Sequence, residues 1–439
     1  MVARRFTTEL STQQFIQRVQ EWKLALAACP GSRWAVYHSD SFEFLAILMA
    51  LWQLQRTACI SGDNLPATQD RQRENVDAFV GEFAAAGIHP LEHKTVSSSA
   101  ADWIVPAADF VAVEISTSGS TGEVKAISKT IAQLECEIEM LESLWPGQPG
   151  AVVLTTVSHQ HFYGLIFSLL WPFCSRRAFE AVACEFPEDI LYRAGRCEQF
   201  ALVSSPSHLG RLNNEKDWAS IAGRCQYVVS SAAPLQRKHS LTAGRLLQAK
   251  LREIYGSTET GAIAWRIQQE SNDDALWQPM PGVLLDRNDA NELMVSSPLL
   301  AEAGHYLLAD RVEFDEHGSF KLLGRADRIV KVEGKRVSLS AIEQILAEQE
   351  GVVALKCLTI ERSRMETAMV MQLDSRGKQL LLEAGRKKLI QGYKQLLAKH
   401  FEAIVIPRRW RFVEEMPYNR QGKLPLQNLQ ALFEPGSDG

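Results

Sequence analysis

Residues 115–125 read I-S-T-S-G-S-T-G-E-V-K, and this stretch decides how the rest of the chain is interpreted. An apolar run at residues 110–115 leads into it, and residues 131–145 follow with apolar side chains three and four positions apart. This order predicts a strand, a small polar loop and a helix. Glycines let the backbone approach phosphate oxygens, hydroxyls and N–H groups donate to them, and a lysine adds positive charge. We therefore expect a phosphate-binding loop at residues 117–125.

The loop differs from the most common phosphate loop, in which a lysine directly follows the second glycine and precedes Ser or Thr. Here Gly122 is followed by Glu123 and Val124 before Lys125. Runs of Ser, Thr and Gly are also frequent in ordinary turns. Other parts of the chain must decide between the two interpretations.

The composition narrows the class of protein. Hydrophobic residues make up 46% and charged residues 23% of the 439 residues, which is typical of a soluble globular protein with two or three domains. A net charge of −5 without long basic runs argues against a nucleic-acid partner. Eight cysteines without a C-x-x-C pair indicate reduced thiols and a cytoplasmic location. The most apolar runs, residues 42–54 and 163–174, are too short to span a membrane and are predicted to be buried helices.

Strand and helix patterns alternate in the first part of the chain. From residue 110 to about 265 this alternation predicts a parallel sheet covered by helices. Another helix is expected over residues 75–86. Residues 292–323 contain short strands and turns, which favour an antiparallel β subdomain. The expected fold class is therefore α/β, with helix-covered, mostly parallel sheets and an antiparallel addition.

The last hundred residues have the pattern of a small α+β domain. A hairpin is predicted at residues 328–339, and S-A-I-E at residues 340–343 has the form of a capping box that opens a helix. A single longer helix is predicted over residues 378–400. We expect two domains, residues 1–324 and residues 325–439.

Four further segments carry residues suited to nucleotide chemistry. Glu259 has the carboxylate that binds Mg²⁺, and Thr258 beside it can donate to a phosphate oxygen. Asp310 ends an apolar strand pattern and suits a ribose diol. The charged segment 324–336 and the glycine turn before Lys423 complete the set. Taken singly, each segment is more typical of a turn, a strand end or a surface loop than of a nucleotide site.

The order of all five segments resembles the adenylate-forming superfamily of acyl-CoA synthetases, peptide-synthetase adenylation domains and luciferases. The loop is similar to its T-S-G-S-T-G-x-P-K signature, with Val124 in place of proline. Residues 255–259, Y-G-S-T-E, match its Y-G-x-T-E motif. Residues 306–310, Y-L-L-A-D, resemble Y-x-T-G-D with Leu-Ala replacing Thr-Gly. Residues 324–334 match its hinge motif, and residues 422–423 match its C-terminal Gly-Lys.

The resemblance implies a two-step ligase. A carboxylic acid reacts with ATP in the presence of Mg²⁺ to give an acyl-adenylate and pyrophosphate. The thiol of an acyl carrier protein or of coenzyme A then displaces AMP to give a thioester. Two other readings explain part of the pattern: a phosphotransferase that uses the loop on ATP, and a non-catalytic nucleotide-binding partner in a pathway complex.

The resemblance also implies a role for each matched residue. The residues assigned to ATP are Thr117, Ser118, Gly119, Ser120, Thr121, Gly122, Lys125, Tyr255, Gly256, Asp310 and Arg325. The residues assigned to catalysis are Thr258, Glu259 (also the metal ligand) and Lys423. The acid pocket is assigned by position to His161, Phe162, Tyr163, Ala232 and Gly256. Asp327 is the hinge about which the C-terminal domain rotates between the two half-reactions.

Two softer matches bear on the substrate. Residues 161–165, H-F-Y-G-L, are similar to an H-x-Y-G-L segment that lines the acid pocket, and residues 230–235, S-S-A-A-P-L, resemble S-G-G-A-P-L. An aromatic, apolar pocket with one imidazole suits an aryl or short apolar acid. The portion ahead of the loop is shorter than usual, and together with residues 161–172 it resembles the compact ligases of bacterial aryl-polyene and xanthomonadin-type pigment clusters. Those ligases serve an acyl carrier protein; a fatty acid and coenzyme A stay open as alternatives.

Overall fold

The structure is a computed structural model that describes residues 1–83, 87–88, 103–118, 124–147, 150–270, 275–302, 304–332, 335–361, 365–419 and 424–434. The chain divides into two compact units. The first unit comprises Met1–Leu284 with Val295–Tyr306, and the second comprises Leu285–Met294 with Leu307–Gly439. The expected boundary between residues 324 and 325, drawn for a mobile C-terminal domain, stays a prediction.

The elements up to residue 279 alternate between strands and helices. In chain order they are β1 (Ala3–Arg5), β2 (Thr8–Leu10), α1 (Thr12–Ala27), β3 (Arg33–Tyr37), α2 (Ser41–Gln53), β4 (Thr57–Ile60), α3 (Pro66–Gln72), β5 (Ala78–Gly81), β6 (Gly87–Ile88), β7 (Val111–Ser118), β8 (Val124–Thr130), α4 (Ile131–Leu144), β9 (Ala151–Thr155), α5 (Phe162–Gly164), a π-helix (Leu165–Leu170), α6 (Trp171–Cys174), β10 (Ala178–Glu180), α7 (Pro187–Ala194), β11 (Gln199–Ser204), α8 (Pro206–Leu209), a 3₁₀ helix (Trp218–Ile221), β12 (Cys225–Ser230), α9 (Arg237–Leu247), β13 (Leu251–Ser257), β14 (Gly261–Arg266) and β15 (Gln278–Pro279).

A nine-stranded sheet forms much of the first unit, in the order β15-β14-β13-β12-β11-β9-β10-β1-β2. The strands from β13 to β1 run parallel, and β14, β15 and β2 add antiparallel edges. The central strands are buried along almost their whole length, as expected for a parallel sheet with helices on its faces. Helices α7 and α9 close one face through a continuous apolar core.

A second sheet has the order β6-β5-β3-β4-β7-β8, with β8 antiparallel to β7 and the others parallel. Helix α2 packs on this sheet with eleven of its 13 residues buried. Its N-terminus is tied to the nine-stranded sheet, because the Ser41 N–H donates to the Ala181 carbonyl at 2.8 Å. The prediction of a buried helix at residues 42–54 is confirmed.

The prediction of a helix over residues 75–86 is wrong. The apolar run Ala78–Gly81 instead forms β5, which pairs in parallel with β3. Pairing next to the centre of a sheet buries this short run on both faces, which a four-residue helical turn would not do. The helix in this part of the chain is α3, which ends at Gln72.

A strand that was not predicted, β8, lies between the phosphate loop and the predicted helix. It pairs antiparallel with β7 so that Thr117 faces Lys125 and Ser118 faces Val124. Helix α4 begins at Ile131, as predicted, and the Thr130 side chain accepts from the Gln133 N–H at its start. The register therefore brings the two ends of the loop together.

The predicted buried helix at residues 163–174 is present but interrupted. A π-helix occupies Leu165–Leu170 between α5 and α6, and all six of its residues are buried. Such turns are rare and are frequent at functional sites. A side chain at Gly164 would place Cβ 2.1 Å from the Ser158 carbonyl oxygen, so the chain needs glycine there. Among the residues described, no helix combines the length and apolarity needed to cross a membrane.

The remaining elements are mostly antiparallel strands and short helices. They are β16 (Leu284–Arg287), β17 (Glu292–Ser296), β18 (Tyr306–Phe314), β19 (Phe320–Arg325), a 3₁₀ helix (Ala326–Arg328), β20 (Ile329–Val332), β21 (Lys335–Ser338), α10 (Leu339–Ala347), β22 (Val352–Glu361), β23 (Met365–Leu373), α11 (Ser375–Ala384), α12 (Arg386–Leu397), β24 (Arg409–Val413) and α13 (Leu426–Ala431). Strands β16 to β19 form a further sheet, β20 and β21 form the predicted hairpin, and β22 to β24 form a three-stranded sheet. The three-stranded sheet has an apolar core on each face.

Two helix predictions in this part need correction. The N-cap of α10 is Ser338, whose hydroxyl accepts from the Ala341 N–H at 3.2 Å. Glu343 makes no capping box because its carboxylate accepts from the Cys357 N–H at 2.7 Å and pairs with Arg328. The helix expected at residues 378–400 is two helices, because Gly385 has φ +76° and ends α11 before α12 begins. The α/β fold class itself is confirmed.

Candidate functional site

Three predicted site segments lie at one edge of the nine-stranded sheet. His161–Tyr163 follow β9, Ala232 follows β12, and Gly256–Glu259 stand at the end of β13. Because β9, β12 and β13 are parallel in this sheet, their carboxyl ends meet at the same edge. Ligands of open α/β sheets bind at such edges. The structure thus brings together the residues assigned to the acid pocket and to the Y-G-S-T-E motif.

The turn after β13 is closed by two hydroxyl residues. The Ser257 N–H donates to Thr260 Oγ1 at 3.1 Å, and the Thr260 N–H donates to Ser257 Oγ at 3.3 Å. Thr260 is fully buried, and its hydroxyl donates to the Gly261 carbonyl at 3.0 Å. This reciprocal network fixes the base of the turn, and Thr258 and Glu259 stand half-buried at its tip.

Two glycines let the turn close. A Cβ on Gly256 would lie 2.1 Å from the Gly261 carbonyl oxygen, which no side chain tolerates. Gly261 has φ +67°, and a Cβ there would lie 2.7 Å from Leu299. The positive φ favours glycine, and a larger residue would also have to displace the Leu299 side chain. Tyr255, just before the turn, is half-buried and packs on Trp277 with 5.6 Å between the ring centres.

Two buried charged residues pack behind this turn, and neither was predicted from the sequence to belong to the site. Lys129 is 1% exposed, and its ammonium donates to the carbonyls of Glu259 at 2.8 Å and Leu299 at 2.9 Å. Glu137 is 2% exposed and accepts from the Ala262 N–H at 2.9 Å. Burial raises the pKa of Glu137 to about 7 and lowers the pKa of Lys129. A signal was present for Glu137, which interrupts the apolar stripe of α4.

The predicted acid-pocket residues differ in their surroundings. Phe162 is buried, with its ring 5.3 Å from the Lys129 ammonium. The Tyr163 hydroxyl lies 3.0 Å from the carbonyl oxygens of both Ser204 and Val229, and burial raises the pKa of Tyr163 well above its ordinary value. Tyr163 therefore ties the ends of β11 and β12. Its role in the pocket, like that of the half-buried His161, stays a prediction.

Ala232 has a backbone conformation that normally belongs to glycine. Its φ is +75°, and its side chain is exposed after β12. The neighbouring Ser231 hydroxyl donates to the Ile254 carbonyl at 2.9 Å, which anchors the loop to β13. A non-glycine residue in this region stores backbone strain of roughly 1–3 kcal/mol. Alanine in place of the family's glycine thus changes the side chain while the glycine conformation is kept.

The second unit holds Asp310 and Arg325 side by side. They are register partners across β18 and β19, and Arg325 Nη1 lies 3.3 Å from Asp310 Oδ2. The expectation that Asp310 ends its strand is wrong, because β18 continues to Phe314 with a register shift after Arg311. The assignment of both residues to the ribose stays a prediction.

Some predicted site residues lie outside the described part of the chain, and others are placed only by their backbone. Gly119, Ser120, Thr121, Gly122 and Lys423 lie outside the described residues. Thr117, Ser118 and Lys125 are placed as backbone positions of β7 and β8, and Asp327 lies in the 3₁₀ turn Ala326–Arg328. Their proposed roles stay predictions.

The donors at the turn suit a metal that arrives with a nucleotide. Within the described residues there is no group of three or more His, Cys, Asp or Glu arranged to hold a metal ion. Mg²⁺ commonly takes one or two carboxylates and completes its shell with water and phosphates. One half-buried carboxylate, Glu259, beside the Thr258 hydroxyl fits that requirement.

A comparison with protein-family models matches residues 55–293 to the model described as AMP-binding enzyme. The match covers more than half of the chain, and the chain belongs to the AMP-binding enzyme family. Within that family it is an AMP-forming ligase, which confirms the resemblance to the adenylate-forming superfamily and the predicted enzyme class. The narrower resemblance to the aryl-polyene and xanthomonadin-type ligases stays a prediction.

Two relatives and one solved structure illustrate the likeness. A 4-coumarate–CoA ligase of Cereibacter sphaeroides is 29% identical over 319 residues, which cover 70% of this chain and 69% of the relative. One from Rhodobacter capsulatus is 27% identical over 317 residues, covering 70% and 73%. A crystal structure of a benzoate CoA ligase from Burkholderia xenovorans LB400 matches with a TM-score of 0.79 at 15% identity, over 98% of this chain and 96% of that one. This last match shows the fold.

Proposed function

We propose that the protein uses ATP to activate an aromatic carboxylic acid and then transfers the acyl group to the thiol of a carrier protein. The observation that carries this proposal is the fixed turn with Thr258 and Glu259, standing at the same sheet edge as the aromatic residues Phe162 and Tyr163. Relatives named for 4-coumarate support an aromatic acid.

In the first step a substrate carboxylate oxygen attacks the α-phosphorus of ATP. The bond from that phosphorus to the bridging oxygen breaks, and pyrophosphate leaves with the electron pair. Both reactants are anions, so placing positive charge between them lowers the barrier most. Lys423 supplies that charge, and residues 117–125 orient the departing pyrophosphate.

Magnesium, when bound, offsets phosphate charge, and Glu259 with Thr258 are the residues that would hold it. Asp310, helped by Arg325, accepts hydrogen bonds from the ribose hydroxyls. The hydroxyls of Ser257 and Thr260 each accept from the other residue's backbone N–H, so they stabilise the turn, and the nucleotide is contacted by Thr258 and Glu259 at its tip.

In the second step a thiolate attacks the acyl carbon, and the bond from that carbon to the AMP phosphate oxygen breaks. We propose that residues 325–439 rotate about Asp327 between the steps, which withdraws Lys423 and brings the β20–β21 hairpin toward the thiol. Such gating by a moving domain is a known type of conformational step. Asp327→Pro should spare adenylation and block thiolation; equal damage to both half-reactions would place the hinge elsewhere.

A basic groove in the second unit supports an acidic carrier protein as the acceptor. Residues 386–411 contain eight Lys and Arg and one Glu, in a chain whose net charge is −5. The groove lies between α12 and β24 and has a volume of about 370 Å³. The residues that line it are Arg386, Lys387, Ile390, Gln391, Lys394, Arg408, Arg409, Trp410 and Arg411. Its described walls carry six cations and no carboxylate.

The distribution of these cations favours a protein over coenzyme A. They extend about 12 Å along α12, from Arg386 to Lys394, and continue onto β24. Glu366 lies near Arg408 at 3.8 Å and Arg409 at 3.5 Å, which leaves most of the uncompensated charge on α12. Spread, exposed charge suits the acidic face of a protein, since complementary surfaces steer encounters and select partners.

Pyrophosphate exchange tests the function. We expect exchange of labelled pyrophosphate into ATP only when an aryl acid is present, in a panel that also contains fatty acids. ADP as the product would favour a phosphotransferase, and tight ATP binding without exchange would favour a non-catalytic partner.

All eight cysteines are free, which supports the proposed cytoplasmic location.

A further inference from the structure

A buried lysine connects the nucleotide turn with the aromatic residues of the sheet edge. The Lys129 ammonium bonds two backbone carbonyls, those of Glu259 and Leu299, and lies over the ring of Phe162. It comes from the last residues of β8, 130 positions before Glu259. One side chain therefore touches the turn, the neighbouring segment at Leu299 and a predicted acid-pocket residue.

Stability alone does not account for a lysine at this position. Burial lowers the pKa of Lys129, and within the described residues Lys129 makes no direct ion pair, although Glu137 and Glu259 attract it and raise its pKa against the effect of burial. An ammonium removed from water without a direct ion partner is costly, whereas an apolar side chain of similar volume would fill the space at lower cost. The lysine must therefore be explained by what its hydrogen bonds hold.

Those hydrogen bonds hold the tip of the turn. The hydroxyls of Ser257 and Thr260 fix the base without any help from Lys129. The Glu259 carbonyl, by contrast, is bonded by the ammonium, and this carbonyl belongs to the residue whose carboxylate would bind the metal. Without Lys129 the base would stay closed while the peptide at Glu259 gained freedom to rotate.

We infer that Lys129 is a positioning residue for adenylation, which fixes the Glu259 backbone so that its carboxylate is set for MgATP. This inference rests on the proposed function of Glu259. Replacing Lys129 should weaken the use of magnesium and of MgATP more than the use of the acid.

Lys129→Met fills the space without donating, and Gln133→Leu is the matched control. Gln133 donates to the carbonyls of Leu299 at 3.2 Å and Leu300 at 2.8 Å, and its side chain accepts from the Thr130 N–H at 2.9 Å in the capping box of α4. Its loss therefore loosens the same segment and the start of α4 without touching Glu259. We expect Lys129→Met to raise the KM for MgATP and the Mg²⁺ needed for half-maximal exchange at least tenfold, with the acid KM changed less than threefold. Gln133→Leu should leave the MgATP and Mg²⁺ values within twofold.

A double-mutant cycle with Glu259→Gln decides whether Lys129 acts through Glu259. In the Glu259→Gln background, Lys129→Met should have little further effect on the KM for MgATP. Additive effects, or equal effects of Lys129→Met and Gln133→Leu, would overturn the inference. Calorimetric binding of MgATP to the wild-type and variant chains gives a second readout. If the wild type showed no exchange, the proposed function would fail, while the Mg²⁺ dependence of ATP binding would still test Lys129.

Discussion

Two carboxylates assigned to MgATP, Glu259 and Asp310, are held in different ways. Glu259 stands on a turn in which Ser257 and Thr260 each donate a backbone N–H to the hydroxyl of the other, and a buried lysine holds the Glu259 carbonyl. Asp310 lies within an antiparallel strand with its side chain 14% exposed, and it pairs with an Arg325 side chain that is 44% exposed. An ion pair with one exposed partner contributes up to about 1 kcal/mol, whereas a buried network resists rotation. We expect Glu259 to be set before ATP arrives and Asp310 to adjust when it binds.

The largest loss of activity is expected from replacing Lys423, which belongs to the second unit. Lys423→Ala should lower acid-dependent pyrophosphate exchange by about 10³-fold, on the scale of one lost electrostatic group in a transition state. Thioester formation from supplied acyl-AMP should continue, because Lys423 serves only the first half-reaction. Both activities are measured on the same preparation. Loss of both half-reactions together would remove Lys423 from this role.

The two carboxylates should respond differently to neutral replacements. Glu259→Gln should lower exchange by about 10²-fold, because it removes the carboxylate that would hold Mg²⁺ in a fixed position beside the phosphates. Asp310→Asn should cost about tenfold, the scale of one hydrogen bond to a charged group, and it should appear in the KM for ATP. Exchange measured across ATP and Mg²⁺ concentrations checks both. Equal losses, or a larger loss at Asp310, would break the contrast between a fixed and an adjustable carboxylate.

The sequence patterns predicted the features that depend on neighbouring residues in the chain. Tyr255 to Glu259 lie at a strand end and turn because the strand pattern and the small hydroxyl residues are adjacent in the chain. The structural roles of Lys129 and Glu137 were not predicted because their hydrogen-bond partners are 130 and 125 positions away in the chain. A buried lysine and a solvated one look the same in sequence, since only the fold decides whether carbonyls surround the ammonium.

Errors in the predicted elements have a similar origin. β5 was predicted as a helix because four apolar residues do not distinguish a helix from a strand without the partner strand β3. Glu343 had the spacing of a capping box, and a contact with the distant Cys357 N–H took its carboxylate instead. The fold class, which depends on many such segments together, was predicted correctly.

The basic groove between α12 and β24 is proposed to bind the carrier protein that accepts the acyl group. Lys387→Glu with Lys394→Glu should raise the KM for an acidic carrier protein about tenfold and leave the KM for coenzyme A unchanged, because spread charge acts on an extended partner. Lys388→Glu is a control for a single charge reversal and is compared with Lys387→Glu alone, since Lys388 is exposed on the same helix and does not line the groove. Thioester formation is measured with each acceptor at two salt concentrations. A rise in the KM for coenzyme A, or the same effect from Lys388→Glu, would argue against carrier docking at this groove.

The smallest expected effect concerns the strained loop at the first unit's sheet edge. Ala232→Gly should stabilise the chain by up to about 1 kcal/mol, because glycine adopts the observed φ of +75° without strain. Part of that gain is offset by the greater freedom of glycine in the unfolded chain. If the methyl group of Ala232 limits the acid pocket, the variant should also accept bulkier aryl acids in pyrophosphate exchange. Thermal unfolding and the acid panel separate the two effects. A more stable enzyme with unchanged acid preference would make Ala232 a backbone feature only. A less stable one would show that the freedom of glycine in the unfolded chain outweighs the strain at residue 232.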